Sequence, residues 1–350
     1  MDNNRLQVSR RSVLLGTAAA GAVALAAACG DDGDPSPSGG GSAGPLTKFN
    51  FSLGWLPLGR YAPYYYAKSL GLYADRGLDV TLEPSNGTGT SMTQLLTGNI
   101  HATQAPMAAL FHAMSNGVDP LVKGYANFWT RDLSTIFFFR GTISSPKELE
   151  GRTVTTSAGS NEFTKFPIFA AANGVDPNRV EWSNVDGSVK VGMLLRHETE
   201  FTSTTIYGLA QLESQKAADE EIDYFTYGDH GVGGIDGTVL MPSDWVAEHR
   251  DQAEGFIHAT IEGYQAAFQD PQAAIDAMAK DVPTLDKDIA TREMEMLEGI
   301  VLGPAQQENG LGYIVDEQVE FNYDSVVEEL GQPIELPYTD FFSNELLPGA

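Results

Sequence analysis

Cysteine is almost absent: Cys29 is the one example in 350 residues. A single thiol excludes an internal disulfide, a multi-cysteine zinc site and a CxxC redox pair. Positive charge is also scarce. Lys and Arg number 21 against 47 Asp and Glu, a net charge of -26. A surface so acidic repels phosphate backbones and anionic lipid, so no nucleic-acid partner is expected. The six histidines, His101, His112, His197, His230, His249 and His258, form no HxH or HExxH spacing, so no metal centre is expected. No GxSxG elbow and no P-loop occur. Ser144-Ser145-Pro146-Lys147 matches SxxK by letters alone, and Ser145 reads as an N-cap ahead of Glu148 and Glu150. Gly231-Val232-Gly233-Gly234 lacks the third glycine of a dinucleotide loop and reads as a hinge. Neither enzymatic chemistry nor a cofactor is expected, an enzyme on the same fold being a lesser alternative.

What is present begins with an address. Ser9-Arg10-Arg11-Ser12-Val13-Leu14 has the twin-arginine pattern, and Val13 to Ala28 is a weakly apolar run shorter than the about 20 residues of a membrane span. Leu25-Ala26-Ala27-Ala28-Cys29-Gly30 is similar to a lipobox, which makes Cys29 the expected lipidation site and residues 1–28 a signal peptide. Residues 29–46 are rich in Asp, Pro, Ser and Gly and read as a flexible tether. These features predict export, then anchoring at the outer face of the cytoplasmic membrane.

From Lys48 onward the chain alternates strand and helix signals. Lys48 to Leu53 alternates polar and apolar residues as a half-buried strand does. Pro63 can open a helix, because the first turn needs no N–H from it. Leu78 to Leu82 is a second strand, and Gly87-Thr88-Gly89-Thr90-Ser91 is a polar turn into a second helix. Ala102-Thr103-Gln104 and Leu121 to Tyr125 are further strands. Ser134 to Phe139 is long and mainly apolar and is expected to lead out of the first lobe. Ser157-Ala158-Gly159-Ser160-Asn161 is a second polar turn, entering a helix from Glu162 to Asn173. The pattern predicts an α/β clamp of two open sheets flanked by helices and joined by two hinge crossings. Lobe I is expected over 47–137 plus 236–350, and lobe II over 138–235.

Open α/β sheets bind ligands beyond the carboxyl ends of their strands. The residues expected there are Trp55, Tyr61, Gly87, Thr88, Gly89, Thr90, Gln104, Asn127 and Trp129 in lobe I. In lobe II they are Ser157, Gly159, Ser160, Asn161, Tyr207, Tyr227 and Asp229. The two polar turns should face each other with unpaired helix N–H groups, and the aromatic rings should offer stacking surfaces.

Several segments resemble a known family. They are Leu53-Gly54-Trp55-Leu56-Pro57, Ala62-Pro63-Tyr64-Tyr65-Tyr66-Ala67, Gly71-Leu72-Tyr73, Gly77-Leu78-Asp79-Val80, Gly98-Asn99-Ile100-His101-Ala102, Ser145 to Val154 and Asn173-Gly174-Val175-Asp176-Pro177. The stretch from Phe49 to Leu302 resembles the substrate-binding proteins of bacterial ABC importers, in the group that handles thiamine pyrimidine precursors. It is similar as well to the binders of aliphatic sulfonates, taurine and nitrate. The resemblance implies a two-lobed, type II periplasmic-binding-protein fold. It also implies a monomer that takes a small-molecule ligand and delivers it to an ABC permease with its ATPase. The chain departs from the pyrimidine group where that group carries asparagine and histidine, at Leu58 and Tyr61, and at Thr103-Gln104-Ala105. Near the strand ends, basic Arg60, Arg131 and Lys165 are matched by acidic Glu162, Asp186 and Asp229, and aromatic residues outnumber both. That balance predicts a planar, neutral or weakly basic nitrogen heterocycle rather than an anion such as a sulfonate, taurine or nitrate.

Overall fold

The computed structural model describes residues 45–117, 119–157, 160–331 and 333–350. The signal peptide, Cys29 and nearly all of the tether lie outside them, as does Gly159.

The first lobe starts with β1 (Thr47–Ser52), whose alternation buries Phe49 and Phe51 and leaves Thr47 and Lys48 exposed. Helix α1 (Ala62–Ser69) begins one residue before Pro63. Strand β2 (Leu78–Glu83) pairs in parallel with β1, Phe49 against Val80. Then follow α2 (Thr88–Leu96), β3 (Ala102–Ala105), α3 (Met107–Met114) and β4 (Val122–Asn127). The chain crosses into the second lobe at β5 (Ser134–Phe139), followed by β6 (Thr153–Thr156), α4 (Asn161–Thr164), α5 (Phe166–Ala172), β7 (Glu181–Asn184) and α6 (Lys190–Leu195). Strand β8 (Phe201–Thr205), α7 (Gly208–Gln215) and β9 (Ile222–Thr226) complete that lobe. Strand β10 (Thr238–Pro242) returns to the first lobe. It is followed by α8 (Ser243–Glu248), α9 (Arg250–Gln269), α10 (Pro271–Asp281), α11 (Lys287–Val301), α12 (Pro304–Asn309) and α13 (Asp316–Leu330).

The two sheets have the same architecture. Their orders are β2-β1-β3-β10-β4 and β7-β6-β8-β5-β9. In each, the fourth strand runs antiparallel to both neighbours, and in each it is the strand that has just crossed from the other lobe. This corrects the expected boundary at residue 137. Strand β5 pairs with β8 and β9, so the chain leaves the first lobe before Ser134. The apolar run correctly signalled a strand buried on both faces, but burial does not say in which sheet.

Two local expectations also change. The single helix over 162–173 is two helices, α4 and α5, with Pro167 in the first turn of α5, where its missing N–H is tolerated. Ser145 does not cap through its hydroxyl. Instead Ser144 and Ser145 both donate to the Glu148 carboxylate, at 2.8 and 3.1 Å.

Tyr64 packs edge-on to Tyr264 and Phe128, whose rings stack at 4.4 Å. Tyr64 and Tyr65 are thus core, and Tyr66 is half-buried. The same apolar core includes Leu194, Tyr207 and Leu212 of lobe II, so the two lobes are in contact.

Candidate functional site

Lobe I presents its edge through two glycines. Gly54 has φ +78°, and a Cβ there would lie 2.1 Å from the Gln104 carbonyl oxygen. Only glycine lets the loop after β1 pass this close to β3. The loop then carries Trp55 outward, 44% exposed. The Trp55 carbonyl accepts from the Ser85 N–H at 3.0 Å. The Ser85 hydroxyl donates to the Gly87 carbonyl at 2.9 Å and accepts from Ser91 at 2.8 Å. This serine relay fixes the turn at Gly87, whose φ of +147° no side chain tolerates well. No side chain caps α2, so its first N–H groups stay available. Thr88 is half-buried, and Gly89 and Thr90 are exposed.

Thr88 and Gly89 line an interlobe cleft of about 910 Å³ together with Asn161 and Lys165 of lobe II. Met92, Ala109, Ile168 and Phe321 give it apolar walls. The structure therefore brings parts of both polar turns to one cleft. Ser160 serves the fold of its own lobe instead, since its hydroxyl caps α4 through the Phe163 N–H and bonds Thr156 at 2.8 Å. Ser157 is half-buried beside Gly187.

A second region of contact is aromatic. Trp129 lies 5.7 Å from Tyr61 and 5.9 Å from Tyr207 of lobe II, and Arg60 sits over all three rings at 4.9–5.8 Å. Glu293 on α11 neutralises Arg60: it accepts from the guanidinium at 3.1 Å and from the Arg60 backbone N–H at 3.0 Å. Burial acts to lower the Arg60 guanidinium, but Glu293 and the two phenols outweigh it and hold it raised. Burial pushes the Glu293 carboxyl up, against the pull of Arg60. Arg60 is thus not a free cation for an anionic ligand.

Around Gly237 the same region carries unpartnered polar atoms. The Gly237 carbonyl accepts from Gln104 Nε2 at 3.2 Å and from the Phe128 N–H at 2.9 Å. That bond orients the Gln104 amide and leaves its Oε1 without a partner. Asn127 Oδ1 accepts from the Trp129 N–H at 3.3 Å, which leaves Asn127 Nδ2 free. Trp129 Nε1, the Tyr207 hydroxyl and the Thr238 hydroxyl are also buried and unpartnered. Buried polar atoms are nearly always hydrogen-bonded, so such a concentration needs an explanation. Burial holds the Tyr207 phenol well above its usual range, so it is a neutral donor and acceptor.

Two expected residues belong elsewhere. Tyr227 is fully buried, stacks on Phe169 at 4.5 Å and donates to the Glu162 carbonyl at 2.7 Å, so it is lobe II core. Its place at a strand end was a true signal, but the ring points inward. Asp229 is exposed and holds Thr226 at 2.5 Å and Arg131 at 3.5 Å. His101 is also structural, stacked on Phe49.

Several pairings and burials had no local signal. Glu293 is 233 residues from Arg60. Thr238 is a strand residue like any other until its partners are known. Lys165 bonds Asp132 at 2.5 Å and Asp236 at 3.0 Å, one on each hinge crossing. Lys190 and Glu162 are charged residues of lobe II, buried along most of their length. Among the described residues no group of three His, Cys, Asp or Glu could hold a metal ion, and no helix is long and apolar enough to cross a membrane.

Comparison with known proteins agrees with the geometry. No curated protein sequence matches the chain. The family model described as NMT1/THI5 like matches residues 59–274. The periplasmic aliphatic sulphonate binding protein SsuA from Escherichia coli superposes with a TM-score of 0.67 at 10% identity, over 85% of this chain and 92% of that one. The periplasmic nitrate-binding protein NrtA from Synechocystis gives 0.59 at 18%, over 86% and 87%. The alkanesulfonate-binding protein SsuA from Xanthomonas axonopodis pv. citri, bound to MOPS, gives 0.60 at 12%, over 86% and 98%. At such identities these likenesses speak for the fold, while the family model spans more than half of the chain: two matched sheets, two crossings and an interlobe cleft are the periplasmic-binding-protein fold, and the chain belongs to the NMT1/THI5-like family.

Proposed function

We propose that this protein is the extracytoplasmic receptor of an ABC importer, which closes two lobes on a small organic molecule and delivers it to a permease and its ATPase. It acts as a monomer and not as an enzyme. The observation that carries the reading is the set of buried, unpartnered polar atoms where the lobes meet, at Gln104, Asn127, Trp129, Tyr207 and Thr238. Each such group left unsatisfied costs about 1–3 kcal/mol. A ligand held between the lobes removes that cost, and Tyr207 from lobe II can reach it only when the clamp is closed.

The ligand we propose is a planar, neutral or weakly basic nitrogen heterocycle, of which a thiamine pyrimidine precursor is one example. The free atoms include Gln104 Oε1 as acceptor, Asn127 Nδ2 and Trp129 Nε1 as donors, and two hydroxyls that serve as either. This is a neutral inventory. The sulfonate, taurine or nitrate alternative needs a cation with no carboxylate beside it, whereas Arg60 is engaged by Glu293, Lys165 by two aspartates, and Lys190 stands near Glu162. Stacking falls to Trp129 or to the exposed Trp55. The twin-arginine signal and Cys29 support export and lipid anchoring.

A melting panel tests this, since a ligand that binds the folded state raises the midpoint by mass action. Pyrimidines, purines or flavins should give the large shift. A large shift with taurine, alkanesulfonates or nitrate and none with heterocycles refutes the heterocycle and leaves the receptor.

A further inference from the structure

Two charged side chains of the second lobe are buried along most of their length, with charged tips that find no partner and still touch solvent. Lys190 opens α6 just beyond β7 and is 7% exposed; Glu162 lies in α4, beyond β6, and is 5% exposed. Among the described residues neither side chain has an ion pair or a hydrogen bond. Burial pushes the Lys190 ammonium below the usual lysine range, and the Glu162 charge opposes that shift, so the two are neighbours that do not pair. A buried stem that ends in an open, unpaired charged tip leaves that tip able to meet a ligand.

Their place in the fold suggests the use. Strands β6, β7 and β8 are parallel, and beyond their carboxyl ends lie Glu162, Lys190 and Tyr207. Tyr207 already touches Arg60 and Trp129 of lobe I, so this edge of the sheet is turned to the cleft. Asn161, next to Glu162, lines the cleft itself.

Building on the receptor reading above, we propose that Lys190 and Glu162 form a dipolar subsite that selects the ligand. Lys190 takes an acceptor, a ring nitrogen or a carbonyl oxygen. Glu162 takes an N–H donor on the same molecule. Glu162 also turns simple anions away. Nitrate or a plain sulfonate could satisfy Lys190, but it brings no donor to Glu162 and meets a like charge there.

The test is a gain of binding. Glu162→Gln keeps the shape and removes the charge, which leaves Lys190 as a free cation at the site. Sodium nitrate and sodium methanesulfonate at millimolar concentration, against sodium chloride as the salt control, should leave the wild-type midpoint unchanged. They should raise that of Glu162→Gln by roughly 2 °C or more. Adding Lys190→Met to Glu162→Gln should abolish the gain. Glu162→Ala offers the same gain should the amide variant fold poorly. The proposal is overturned if the wild type responds to these anions as strongly as Glu162→Gln, if neither Glu162 variant gains a response, or if the gain survives Lys190→Met. Failure of the receptor reading looks different: no heterocycle shifts the wild type, whatever the anions do to the variants.

Discussion

Replacing Gly89 with valine separates a binding turn from a structural one. Gly89 is the second residue of α2, exposed, and a Cβ there meets no protein atom within 4 Å. Valine suits a helix better than glycine, so the ligand-free protein should gain about 0.3–0.5 kcal/mol if it changes at all. The isopropyl group, however, projects at the wall of the cleft that Gly89 lines. Crowding a ligand there should weaken binding tenfold or more, about 1.4 kcal/mol. Gly87→Ala is the contrasting change. Its φ of +147° strains any side chain, and the new Cβ sits 3.7 Å from the Trp55 ring. That strain should cost about 1–3 kcal/mol without ligand. The assay is thermal melting of both variants, with titration calorimetry using whichever panel member shifts the wild type most. Gly89→Val should keep the wild-type midpoint and lose affinity. Equal losses of ligand-free stability and affinity, or an unchanged affinity, would refute the reasoning.

Other outcomes follow from the same physics. Lys165→Met leaves Asp132 and Asp236 buried without their cation, so it should cost about 3–5 kcal/mol, read as a lower melting midpoint; an unchanged midpoint would show that the crossings do not depend on it. Burial raises the phenols of Tyr65, to about 12, and of Tyr64, Tyr73, Tyr125 and Tyr264. A raised acid gives stability that is intact below the unfolded value of 10.0 and lost as pH climbs from there through the raised folded value. Phenolate absorbance of these tyrosines should therefore appear together with loss of tertiary circular dichroism, and titration of all 13 tyrosines near pH 10 in a folded protein would contradict this. Cys29→Ser should move the protein from the membrane fraction to the soluble one; a variant that stays membrane-bound would count against lipidation.

The elements were legible where the signal is local. Alternation marked β1, Pro63 marked α1, and the polar run Gly87–Ser91 marked the entry to α2. Pro167 could have marked the break between α4 and α5, since a helix interior rejects it. What stayed hidden depends on tertiary pairing. The apolar run Ile136–Phe139 of β5 suits either sheet, and only hydrogen bonding to β8 and β9 decides. Tyr207 and Tyr227 both follow lobe II strands, yet one meets Trp129 and the other meets Phe169. The neutralisation of Arg60 depends on a residue far along the chain, as does the engagement of Lys165 by both crossings. Lys190 gave no sign, because its burial without a partner exists only in the folded lobe.

The central claim is that the interlobe site holds one small molecule. Native mass spectrometry of the folded mature protein, taken directly from producing cells and again after incubation with the heterocycle panel, tests it most directly. The account predicts a single adduct per chain that is lost on denaturation and weakened by Trp129→Ala. A bare protein mass in every sample, or an adduct indifferent to Trp129, would contradict it.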